Sequence, residues 1–361
     1  MPARPAGHVR PALAIAVTLA LTLVALCLHA LRPEPARAAS AGEMWVSSAA
    51  LSSRPTSGRA WSNLLSAADA LVAGPRAAKI ADQSSSHDVR TLAAALVWAR
   101  TGRSTYRSAA ATAVDAAVGT EAGGRTLALG RNLPGYVIAA DLIRLDELDA
   151  AKGRRFRTWL AKVRTTRLDG LTLVSTHEKR PNNWGTHAGA ARVAADIYLG
   201  DRADLARAAT VFRGWLGDRS AYAGFKFGSL AWQCDPRRPV GVNPVGCTIG
   251  GHPLGGAQPD DMRRAGGFEW PPPKENYAWE ALQGAVVQAE LLSRAGFPAW
   301  RWSDGAVVRA VRWLQDQASF QAQGDDTWIP FLVNRGAGAR LAAPGAARSG
   351  KNMGFTDFTH G

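Results

Sequence analysis

Two short stretches concentrate side chains able to move protons and to hold an acidic or hydroxylated ligand. The first, Arg180–Ala191, reads RPNNWGTHAGAA. Asn182 and Asn183 each offer amide donors and a carbonyl acceptor, which suits a carboxylate or sugar hydroxyls. Trp184 offers a flat face for a sugar ring. His187 can exchange a proton near neutral pH. A lone histidine here would read as a packed core residue; the two neighbouring asparagines tip the reading toward function. The second stretch, Pro259–Leu282, reads PDDMRRAGGFEWPPPKENYAWEAL. Arg263 and Arg264 are followed by Tyr277 at the start of a long helix. A tyrosine, with a reference pKa of about 10, becomes a base only if a nearby cation lowers it. An Arg–Tyr pair would meet that need. The alternative, two arginines facing solvent and a core tyrosine, weighs the same.

The elements that must position these residues are helices. Apolar periodicity predicts them near 60–73, 88–101, 105–118, 134–145, 148–163, 186–199, 203–216, 276–295 and 303–317. Gly74, Gly102, Gly200, Gly217 and Gly296 stand where stops are expected. Four segments repeat one plan, an Ala-rich helix, a turn and an Arg/Trp-bearing helix, starting at His87, Asn132, Thr186 and Asn276. A weak repeat of about 40–50 residues signals stacked hairpins. The fold class is therefore all-α, an (α/α) toroid or incomplete barrel of helical hairpins, with the Ala-rich helices inside. If the inner helices run parallel, one rim carries His87 and Asp88; Arg131 and Asn132; Asn182, Asn183, Trp184 and His187; Glu275, Asn276 and Tyr277. Asn and Asp also serve as plain helix caps, but four such sets on one rim point to a polar cleft. The Gly/Pro-rich stretch from Asp218 to Lys274 lacks helical period and reads as a lid or cleft wall. The aromatic C-terminal segment from Asp325 is expected to pack on the domain surface.

Composition bounds the setting. The 361 residues are 47% hydrophobic and 20% charged, which excludes a disordered chain. Arg4, His8 and Arg10 precede an apolar run from Pro11 to about Leu31, then Ala36-Arg37-Ala38, a small-x-small cleavage pattern. Residues 1–38 thus read as a signal peptide and 39–361 as one domain of a secreted protein; left uncleaved, the run would be a membrane anchor. Cleavage would remove four Arg and one Glu and lower the net charge from +14 to +11. A basic exported protein suits a polyanionic partner, although an Arg-rich composition gives the same charge. Cys234 and Cys247 are expected to form a disulfide worth roughly 2–4 kcal/mol in the chain-entropy model. No histidine stands beside them at zinc spacing, so no metal site is read.

The sequence resembles the alginate lyase superfamily of (α/α) toroid proteins. MWVSSAALSSRPTSGRAW resembles that family's start, NNWGTHAGAA its asparagine–histidine segment opening an inner helix, and PDDMRR…ENYAWEALQGAVVQAELL its arginine–tyrosine segment before a late helix. The similarity spans most of residues 43 to 335. The resemblance implies that Asn183, helped by Arg264 and possibly by Arg263, neutralises a substrate carboxylate and acidifies the proton on the adjacent carbon. His187 or Tyr277 would take that proton, and Tyr277 would protonate the leaving oxygen. The rim residues Asn182, Trp184, Arg131, Asn132, His87 and Glu275, with Arg263, are read as substrate contacts; no cofactor is expected, and the protein is expected to be a monomer acting on an acidic polysaccharide. Two departures stand out. Trp184 occupies the place of the family's histidine, with His187 three residues on. Pro271, Pro272 and Pro273 lengthen the arginine-to-tyrosine spacing. Both leave the polymer open, alginate or a glucuronan-like chain.

Two other readings compete. A glycoside hydrolase would need two carboxyls about 5–9.5 Å apart, drawn from Asp88, Asp260, Asp261, Glu275 and Glu280. A non-catalytic module for acidic polysaccharide would keep the basic, aromatic rim and tolerate loss of Tyr277. Nucleic-acid binding is excluded by the dispersed arginines and the lack of a recognition motif.

Overall fold

The computed structural model describes residues 1–3, 42–74, 78–350 and 352–361. The apolar run from Pro11, Cys27 and the Ala36–Ala38 cleavage pattern lie outside the described residues. The chain is 57% helix and 2% strand, so the all-α expectation holds.

Among the described residues, eleven helices carry the architecture: α1 (Gly58–Ala73), α2 (His87–Thr101), α3 (Ser104–Ala117), α4 (Thr126–Leu142), α5 (Ala150–Val163), α6 (Leu173–Lys179), α7 (Asn183–Leu199), α8 (Arg202–Trp215), α9 (Tyr277–Arg294), α10 (Trp302–Arg312) and α11 (Ile329–Ala337). The Ala-rich members α2, α4, α7 and α9 pack in that order as an inner row, and α3 and α8 pack behind α2 and α7. Small residues permit the close approach. A Cβ on Gly130 of α4 would lie 2.9 Å from the Ala188 nitrogen of α7. One on Gly284 of α9 would lie 2.4 Å from the Thr186 carbonyl carbon. The inner helices therefore meet backbone to backbone, and that contact fixes their relative height.

One expected boundary fails. α4 begins at Thr126, eight residues before the predicted start, and runs through Pro134. Every residue from Thr126 to Ala140 is buried. A helix buried all round has no amphipathic stripe, and a proline in such a run reads as a first-turn residue. Arg131 and Asn132 consequently sit in the second turn of α4, not at its entrance. Similarly, α7 starts at Asn183, three residues earlier than the periodicity indicated, with Asn182 as its N-cap.

The stretch from Asp218 to Lys274 is ordered by the Cys234–Cys247 disulfide, a two-residue hairpin of β1 (Thr248–Ile249) and β2 (His252–Pro253), and a Trp232–Phe268 edge contact at 4.9 Å. Within it a helical turn, Pro259–Met262, reaches the entrance of α7. The C-terminal segment corrects the expectation of a surface strap. Trp328, Met353, Phe355 and Phe358 are core residues. The Asn352 amide bonds to Gln283 of α9, while Gly354 lies against Val89 of α2. The tail thus fills the space between the two ends of the inner row.

Candidate active site

The entrances of α7 and α9 face each other across the Pro259–Ala265 turn. Asn182 caps α7 by accepting the Trp184 N–H at 3.2 Å, and its Nδ2 donates to Asp260 at 3.0 Å. Asn183 follows as the first helical residue. Its backbone N–H donates to Asp261 at 3.1 Å, its Nδ2 donates to Glu280 Oε2 at 2.7 Å, and its Oδ1 accepts from Arg264 Nη2 at 3.2 Å. The Arg264 guanidinium lies 4.7 Å from the ring centre of Tyr277. Tyr277 opens α9 and is 39% exposed. Arg131 reaches the same carboxylate from α4, with Nη2 2.8 Å from Glu280 Oε2. Asn183, Arg264 and Tyr277 are therefore linked by direct contacts, as a single reacting sugar ring would require.

Burial sets the electrostatics. Asp261 is enclosed, and desolvation holds its carboxyl well above the usual range, so the neutral acid is favoured. Asp260 takes Arg263 Nε at 2.8 Å and the Gly228 N–H at 2.9 Å. Among the described residues no carboxylate forms an ion pair with Arg264.

His187 does not join this group at the surface. Its backbone is pressed between Gly130 and Gly284, and the residue is 1% exposed. Desolvation, helped by the charge of Arg131, drives its pKa well below the usual value. A neutral imidazole suits a base; His187 lies in the packed contact between α4, α7 and α9 and is as buried as Asn183. The supporting residues divide as well. Asn132 donates its amide to the Ile80 and Asp82 carbonyls at 3.0 and 2.8 Å and braces the chain before α2. Trp184 carries the guanidiniums of Arg125 and Arg180 near its ring, at 4.6 and 5.3 Å, where a sugar had been expected. Arg263 is tied to Asp260. His87 pairs with Tyr136 at 2.9 Å, and Glu275 is exposed. Glu280 entered the sequence reading only as one of five hydrolase carboxylates; its place three residues after Tyr277, on the same helical face, was the available signal.

Of those five carboxylates, Asp88, Asp260 and Asp261 are buried, which leaves Glu275 and Glu280 within reach of solvent. A separate cavity of about 460 Å³ lies beside the disulfide, lined by Arg219, Arg238, Val242, Val245, Asp304 and Arg309. It includes none of the residues grouped around Asn183.

No curated protein and no solved structure matches the chain. The family model described as alginate lyase matches residues 73–225. That stretch contains Arg131, Asn183 and His187 and ends before Arg264 and Tyr277. Over residues 73–225, the chain is therefore similar to the alginate lyase family.

Proposed function

We propose that this protein is an exported polysaccharide lyase that cleaves a uronic-acid polymer, alginate or a glucuronan-like chain, by β-elimination. The similarity of residues 73–225 to the alginate lyase family supports a polysaccharide lyase. The observation that carries the finer reading is the contact chain Asn183–Arg264–Tyr277. Arg264 and the Asn183 amide bind the carboxylate and disperse the charge that develops when the neighbouring C–H is broken. The Tyr277 oxygen takes that proton. The electron pair of that C–H bond forms the ring double bond, the glycosidic C–O bond breaks with its pair on the leaving oxygen, and that oxygen takes a proton from Tyr277. The disulfide supports export, since such bonds persist in oxidising compartments.

The test is ultraviolet absorbance of the purified protein mixed with a panel of polyuronates. Rising absorbance reports the unsaturated product, and Tyr277→Phe should remove it. New reducing ends without absorbance would replace this reading by hydrolysis. Polymer retention without either signal would leave a binding module.

A further inference from the structure

Glu280 lies three residues after Tyr277, so both side chains leave α9 on one face. Its side chain is 24% exposed, and Oε2 meets both Asn183 Nδ2 and Arg131 Nη2. These partners decide the orientation of an amide whose two ends differ. A carboxylate can face only the NH₂ end, and a guanidinium only the oxygen. Turned round, Asn183 would set oxygen against carboxylate and NH₂ against Arg264. The same contact sets the charge balance: Arg131 is paired with Glu280 and Arg263 with Asp260. Arg264 forms no ion pair among the described residues.

We infer that Glu280 is a positioning and specificity-determining residue, which orients Asn183 and cancels Arg131, so that Arg264, without an ion pair among the described residues, is left to meet a sugar carboxylate. This rests on reading Asn183, Arg264 and Tyr277 as the lyase site. Kinetics of Glu280→Gln and Glu280→Ala on the best-cleaved polyuronate test it. Glutamine keeps an acceptor for Asn183 but removes the charge. Misplacement of Asn183 should lower kcat about a hundredfold in Glu280→Ala, against only about threefold in Glu280→Gln. With Arg131 unmasked, Glu280→Gln should also lower KM about tenfold. Arg131→Gln should raise KM, and the Glu280→Gln/Arg131→Gln double variant should bring it back toward wild type.

A mere tie between α7 and α9 would lower Tm and kcat alike in both Glu280 variants and leave KM unmoved; that result overturns the inference. If Glu280→Ala does not fold, the KM shifts of Glu280→Gln, Arg131→Gln and their double variant decide it. If the wild type cleaves no polyuronate, the lyase reading fails on its own. The orienting role is then read from hydrogen exchange of the Asn183 side-chain amide. Faster exchange in Glu280→Ala than in Glu280→Gln supports it, and equal exchange sinks it.

Discussion

At the scale of single residues, the site is a chain of charge and hydrogen-bond contacts in which geometry matters as much as charge. Arg264 touches both the Asn183 oxygen and the Tyr277 ring. A lysine would keep the charge but lose the planar fork and the stacking surface. Arg264→Lys should therefore lower kcat/KM by about tenfold or more, with Tm nearly unchanged; an unaltered kcat/KM would remove Arg264 from the mechanism. The sequence pointed to Asn183, Arg264 and Tyr277 through two polar stretches and a resemblance to the alginate lyase superfamily. It could not say that Trp184 would be covered by arginines or that Asn132 would brace a loop. The Arg125–Trp184 contact and the Asn132 brace depend on neighbours about 50 residues or more away in the chain, beyond any local pattern.

At the scale of elements, the site depends on how closely α7 and α9 approach. Asn183 and Glu280 can meet because Gly284 lets the helices pack backbone to backbone. Gly284→Ala should destabilise the protein by about 1–3 kcal/mol or more through overpacking, and also reduce kcat by moving Glu280 from Asn183. Thermal melting and steady-state kinetics on the same sample would check both; a Tm within a degree or so of wild type would show that the helices can slide apart. The other end of α7 is held differently. Buried Arg192 donates to Asp204, which Arg164 also reaches at 3.2 Å, and to Glu178. Removing one member leaves a buried charge unbalanced. Asp204→Ala should cost about 3–5 kcal/mol in denaturant unfolding; a loss under 1 kcal/mol would place the network's charges in solvent contact. Helix existence was legible from period and glycine stops except for the short α6 and α11, and α4 was read eight residues late because burial on every side erased the period.

At the scale of the whole molecule, the C-terminal tail joins the inner row to the site. Gln283 of α9 donates to Asp326 at 2.6 Å and accepts from Asn352. Burial pushes the Asp326 carboxyl up to about 7. A raised folded-state pKa means its contribution is complete below the unfolded value, near 4, and is lost as pH rises through about 7. Relative to Asp326→Asn, wild-type stability should thus fall by about 2–3 kcal/mol between pH 5 and pH 8. Buried His177 and His187 act with the opposite sign. Their pKa values are lowered, so their contribution is present above about 6.5 and is lost as pH falls below it. Unfolding curves at several pH values for both proteins would read the difference, and parallel curves would show that Asp326 ionises without cost to the fold.

What the sequence by itself determined is what short-range physics writes into it. The 3.6-residue apolar period marks the amphipathic helices, and their repetition gives stacked hairpins. Polar residues at helix entrances mark Asn183 and Tyr277, and two cysteines in one irregular stretch give the disulfide. Tertiary structure alone decided the heights at which the inner helices pack, because backbone contacts at Gly130 and Gly284 set them. It also decided which polar groups are sealed and which reach solvent. His187 and Tyr277 looked equally able to move a proton until packing buried the first and left the second 39% exposed. Glu280, one carboxylate among several in the sequence, met Asn183 and Arg131 only because α7 packs against both α4 and α9.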